Sequence, residues 1–92
     1  MTLSPDTVLS VPQGLSVADL GGEAVVLDPV GGEYFGLNEV AARILTLIGD
    51  GTTLSQVVDR LLTEYEVDRA QLEADVQVFV VDLNRRGLVT AR

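Results

Sequence analysis

Gly32 to Ile48 reads GEYFGLNEVAARILTLI, and the step in its middle decides the fold. Glu33 to Leu37 holds two aromatics in five residues and reads as a short strand. Asn38 follows at once and is a good N-cap, because its side-chain oxygen can accept from the backbone N–H groups of a first helical turn. Glu39 then sets a negative charge at the positive end of the helix dipole. Val40, Ala41, Ile44, Leu45 and Ile48 recur at helical spacing and give one apolar face. With no loop between strand and helix, the two are held at a fixed angle.

Working outward toward the N-terminus, Pro29-Val30-Gly31-Gly32 breaks the chain, and Ala24 to Asp28 is a strand by its β-branched content. Gly21-Gly22-Glu23 is a turn, and Leu15 to Leu20 alternates loosely before it. The three strands form a meander of two hairpins. Residues 1–14 read as a flexible or extended N-terminal segment, with an optional extra strand over Thr7 to Val11 between Pro5 and Pro12. Residues 15–92 form one domain. Gly31-Gly32-Glu33 leads into a strand, so it lacks the helix N-terminus that phosphate loops use; it is a turn.

Toward the C-terminus, Gly49-Asp50-Gly51 stops the first helix. Thr53 with Gln56 has capping-box spacing, and Leu54, Val57, Val58, Leu61, Leu62 and Tyr65 continue as an amphipathic second helix. Asp68 with Gln71 repeats the spacing and opens a third helix, closed by Gly87 after Arg85 and Arg86. Leu88 to Thr90 reads as a short terminal strand. The fold class is therefore α+β: a three-stranded antiparallel meander followed by three helices.

Composition narrows the chemistry. The chain has 92 residues and no cysteine or histidine, and its six basic residues are all arginine. That removes thiol nucleophiles, thiolate metal sites and the commonest general base and metal ligand. Fourteen acidic residues leave a net charge of −8, a field that repels nucleic acid and anionic membranes and suits a basic or neutral partner. With no apolar run near the roughly 20 residues of a bilayer span and no signal-peptide pattern, a cytoplasmic protein is expected.

The third helix carries a core stripe of Leu72, Val76, Phe79, Val80 and Leu83. Gln71, Asp75, Val78, Asp82 and Arg86 line one flank of it. Val78 stands off the core arc between acidic neighbours, as the wall of a groove for a partly apolar partner would. The plain alternative is that Asp82 and Arg86, four apart, pair with each other, and that Phe35, Leu37 and Phe79 are core.

The segment GEYFGLNEVAARILTLIGDG resembles the PqqD-like domains, which act as precursor-peptide recognition elements in ribosomal natural-product pathways. The resemblance rests on Tyr34, Phe35, Leu37, Asn38 and Gly49 to Gly51, on the helix in TLSQVVDRLLTEYEVD, and on the closing Arg86-Gly87-Leu88; it covers about Leu15 to Val89. Among such domains, a free-standing one of this length looks most like the leader-binding protein of lasso-peptide biosynthesis. That resemblance implies a winged-helix-turn-helix-like fold, no catalysis and no cofactor. It also implies partners: a precursor leader peptide, a leader peptidase of the cysteine-protease type, and the cyclase of the same pathway. The leader would add as a strand to the third strand of the meander and lie over the third helix. The implied contacts are Glu33, Tyr34, Phe35 and Gly36 on the strand, and Asp75, Val78, Phe79, Asp82, Leu83 and Arg86 on the helix. Tyr34 and Phe35 point to opposite faces, and which one borders the groove is left open.

Other readings stand beside this one. The domain could serve a radical or cyclisation enzyme as a PqqD-type peptide chaperone with the same groove. A winged-helix DNA-binding regulator shares the three-helix layout, but its third helix should carry outward bases, and this one carries Glu73, Asp75 and Asp82 between Arg69 and Arg85. An enzyme lacks the residues it would need.

Overall fold

The computed structural model describes residues 3–92. In chain order the elements are β1 (Val8–Ser10), β2 (Ser16–Leu20), β3 (Glu23–Asp28), β4 (Glu33–Leu37), α1 (Glu39–Ile48), β5 (Thr52–Thr53), α2 (Leu54–Leu62), α3 (Arg69–Arg85) and β6 (Thr90–Ala91). The strand-to-helix step at Asn38 is built as its residues dictate. Asn38 is extended, and its Oδ1 accepts from the Ala41 backbone N–H at 2.8 Å. α1 ends where the Gly49 N–H reaches back to the Leu45 carbonyl.

β2, β3 and β4 form the expected antiparallel meander, in that spatial order. Val17 pairs with Val26, and Val26 with Phe35; Ser16 pairs with Leu27, and Leu27 with Tyr34. Both hairpins are tied by a carboxylate at the strand end. Asp19 Oδ1 accepts from the N–H groups of Gly21 and Gly22, and Asp28 Oδ1 from those of Val30 and Gly31. Gly21 and Gly22 both have positive φ, 78° and 109°, which side chains with a Cβ rarely adopt.

A second sheet joins β5, β1 and β6, with β1 in the centre. Leu9 pairs with Thr52 on one side and Ala91 on the other. The stretch read as flexible or extended thus contributes a strand and places Leu3 and Leu9 in the core. The terminal strand falls on Thr90–Ala91; Leu88 and Val89 are buried beside it. Met1 and Thr2 lie outside the described residues.

α2 grows straight out of β5. Thr53 is both a strand residue and the N-cap, and its capping box is complete: Gln56 N–H donates to Thr53 Oγ1 at 3.2 Å, and Thr53 N–H to Gln56 Oε1 at 3.0 Å. The helix closes at Leu62, three residues short of the expected Tyr65. There the Thr63 hydroxyl and N–H both turn back to the Arg60 carbonyl and tighten the last turn. At α3 only half of the expected box forms. Asp68 caps the Gln71 N–H, but the Gln71 side chain turns forward to Asp75 instead.

The core is aliphatic throughout. Ile44, Ile48, Val57, Val58, Leu61, Val76 and Val80 are fully buried between the helices, with Val26 and Leu9 contributed by the two sheets. Each such side chain contributes about 1.5–3 kcal/mol by leaving water. Among the described residues no polar or charged side chain is buried. No helix among them is long and apolar enough to cross a membrane.

Candidate functional site

None of the four aromatic residues belongs to the buried core. Phe35, Tyr65 and Phe79 are half-buried at its margin, and Tyr34 is 73% exposed. In a chain with so few large rings, their exclusion from the interior points to use at a surface, since aromatic side chains anchor interfaces.

Two of them, Tyr65 and Phe79, line a groove bounded by α1, by the end of α2 with the turn beyond it, and by α3. Val40 and Ile44 come from α1, Leu61 and Tyr65 from the end of α2 and the turn beyond it, Val67 from the connection to α3, and Leu72, Asp75, Val76 and Phe79 from α3. Its volume is about 220 Å³. That is below the roughly 300–1,000 Å³ of pockets for drug-sized ligands, so it suits inserted side chains and not a cofactor. Val40, 37% exposed, and Val67, also exposed, leave apolar surface open at its mouth. Asp75 is the one carboxylate among the lining residues.

The groove wall is braced by an ion pair. Arg43 of α1 holds Glu64, in the turn after α2, with Nε donating to Oε1 at 2.8 Å and Nη2 donating to Oε2. This two-pronged geometry fixes orientation as well as distance. It keeps Tyr65, the next residue, against α1. The hydrogen bonds from Arg43 hold the Glu64 carboxyl below the usual glutamate range, and those to Glu64 raise Arg43 further. A second brace joins the helices: Arg69 donates to Asp59 of α2 at 2.7 Å and to Glu73 at 2.9 Å.

β4 ends three residues before Val40, and it is an edge strand, hydrogen-bonded to β3 on one side only. Such an edge presents unpaired N–H and C=O groups that can template another chain. Its side chains alternate between an inner and an outer face. Phe35 and Leu37 share the inner face with Val26 and Ala24, while Tyr34 and Gly36 face outward opposite Leu27 and Val25. Among the described residues, and apart from its two chain neighbours, nothing stands within 4 Å of the Cβ position at Gly36. Glu33 is exposed at the start of the strand.

The residues expected on α3 divide. Asp75 and Phe79 line the groove. Val78, 71% exposed, and Asp82 lie instead on a shallow, open depression along the outer flank of the helix, with Ala74, Gln77, Val81 and Arg85. Asp82 and Arg86 pair at 3.2 Å, the plain alternative for that spacing. Leu83 is 2% exposed and is a core residue, with no surface to offer. The groove residues that sequence reasoning passed over are Val40, Tyr65 and Val67. By sequence, Val40 belongs to the apolar face of α1 and Tyr65 to the apolar face of α2, which gives neither a mark of its own. Among the described residues, no group of three His, Cys, Asp or Glu side chains is placed to hold a metal ion.

Comparison with known proteins gives this geometry a context. The family model described as coenzyme PQQ synthesis protein D (PqqD) matches residues 23–89. A PqqA binding protein of Rhodopseudomonas palustris (strain BisB5) is 34% identical over 53 residues, covering 58% of this chain and 52% of that one. The chain therefore spans about half the length of the curated relatives it matches. Solved structures match over more of their length. Lasso peptide synthetase B1, complexed with its leader peptide, is 34% identical with a TM-score of 0.76, covering 89% of this chain and 96% of that one. TbiB1, in complex with the TbiA(beta) leader peptide, is 30% identical with a TM-score of 0.77, covering 87% and 93%. The PqqD part of Methylobacterium extorquens PqqCD, a stand-alone recognition element for ribosomally synthesised and modified peptides, is 25% identical with a TM-score of 0.78, covering 97% and 95%.

Proposed function

The chain belongs to the PqqD family, and on that premise we propose that it captures the leader region of a ribosomally made precursor peptide without catalysing a reaction. The observation that carries this reading is the apolar groove of Val40, Tyr65, Val67 and Phe79, together with the edge strand β4, which leads through Asn38 into the helix that supplies Val40. The leader adds as a fourth strand along Glu33 to Gly36. Main-chain hydrogen bonds supply affinity, and side chains entering the groove supply specificity. Two structural relatives with leader peptides bound, at 30% and 34% identity, support leader capture, and the lasso peptide synthetase B1 among them favours a leader of the lasso type. Val78, Asp82 and Arg86 form the outer shoulder that a leader crossing α3 would meet.

Function then follows from proximity. A captured leader raises the effective concentration of the precursor at a second protein. We assign that role to a leader peptidase of the cysteine-protease type, with the cyclase of the same pathway as a further partner. Cytoplasm, where precursors are made, is the implied compartment. The curated relatives named as PqqA binding proteins favour a second reading, delivery to a different modifying enzyme through the same groove.

Fluorescence polarisation with the labelled leader of a precursor peptide from the same genome tests the capture step. The expected result is micromolar or tighter binding, about −8 kcal/mol or better. Val67→Asp, a change at an exposed position, should weaken it at least tenfold with an unchanged circular dichroism spectrum. Folded wild type that leaves the peptide free would overturn the proposal. Equal losses from Val67→Asp and Val78→Asp would extend the contact across α3.

A further inference from the structure

Resting on the leader-capture reading, we infer that Asp75 selects leaders carrying a lysine or arginine on the same face as the apolar side chains that enter the groove. Asp75 is the single carboxylate in an otherwise apolar and aromatic lining. Its only side-chain partner is neutral: Oδ1 accepts from the Gln71 amide at 3.0 Å. Among the described residues no arginine pairs with it. Arg43 on α1, Arg69 at the start of α3 and Arg86 just past its end pair with Glu64, with Asp59 and Glu73, and with Asp82, and Arg85 stands ten residues along α3 from Asp75. Among the described residues, then, no cation pairs with the charge at the groove.

The surroundings have the same sign. Glu39 precedes Val40, and Glu66 and Asp68 flank Val67, so each exposed aliphatic residue at the groove mouth sits beside a carboxylate in a chain of net charge −8. A peptide laid across the groove takes Asp75 partly out of water. A carboxylate covered by an apolar side chain loses hydration without compensation, whereas a lysine or arginine at that point restores a charged partner. The penalty for the wrong leader discriminates as much as the attraction to the right one. In an extended strand alternate residues share a face, so the selected segment pairs apolar and basic side chains at even spacing.

The test uses the full chain and the fluorescein-labelled leader of the same precursor peptide, with each lysine and arginine changed singly to glutamine. Binding is measured by polarisation to wild type and to Asp75→Asn, which keeps an acceptor for Gln71. One glutamine peptide should bind wild type at least tenfold more weakly and Asp75→Asn less than twofold more weakly than the parent peptide. Raising salt from about 50 to 500 mM should weaken the parent complex more for wild type than for Asp75→Asn. Equal losses on both proteins, no loss for any peptide, or a leader without basic residues that binds tightly would overturn the inference while leaving leader capture standing. A parent peptide that fails to bind folded wild type would remove both.

Discussion

The two three-stranded sheets of this molecule are opposites in construction. In the meander β2-β3-β4, neighbours in space are neighbours in sequence, each hairpin is closed by a carboxylate, and β2 is exposed along its whole length. In β5-β1-β6, three short strands come from the middle, the start and the end of the chain, and Leu9 at the centre is fully buried. The first sheet ends in free edges. The second uses its edges to fasten the ends of the chain to the start of α2. One sheet holds the domain together; the other leaves a strand available to a guest.

If that division is right, damage to the small sheet should be costly. Leu9→Ala removes a buried side chain from its central strand and should lower unfolding free energy by about 2–5 kcal/mol, measured by chemical denaturation. A loss near zero would mean that the N-terminal strand is decorative. Thr53→Ala breaks the α2 capping box and a residue of β5 together and should cost about 1 kcal/mol in the same assay. Val17→Ala, at a half-exposed position of β2, should stay within about 0.5 kcal/mol. A larger effect there would show that the meander also supports the core.

The smallest effect concerns the brace between α1 and the turn after α2. Glu64 titrates below its ordinary value of 4.5 because Arg43 holds its carboxylate. A depressed carboxylate stabilises the folded state above the ordinary value and loses that contribution as pH falls through the lowered one. In acid titrations wild type and Glu64→Gln should therefore differ above pH 4.5 and converge below it. Curves that stay parallel would remove the pair from any role in stability.

What the sequence made legible was local. Asn38 with Glu39 and Thr53 with Gln56 announce helix starts through side chains that act within one turn, and the meander is announced by its turns. The β5-β1-β6 sheet has no such mark. Two residues in β5 and two in β6 carry no period, and their pairing with β1 depends on where the helices bring them. The groove is divided in the same way. The places of Phe79 and Asp75 on α3 were legible because the helix is periodic, one on the core stripe and the other on its flank. Tyr65 and Val67 were not, because they sit in the connection between two helices, where spacing carries no orientation. Leu83 shows the converse error: a residue on the core stripe was also asked to serve the surface.

One consequence of the small sheet reaches beyond binding. The Val8 N–H donates to the Arg92 carbonyl at 3.0 Å, and the Arg92 N–H returns to Val8 at 2.9 Å. The two ends of the fold therefore lie side by side, while Val30, 97% exposed at the tip of the β3–β4 hairpin, touches almost nothing. This is the geometry that tolerates circular permutation. A chain in which a short linker joins Arg92 to Leu3, reopened at Val30, would keep Leu3 and Leu9 in the core while cutting the covalent link between β3 and β4. The edge strand would then lead the polypeptide and run directly into α1, so a cognate peptide could be fused ahead of it as a tethered sensor.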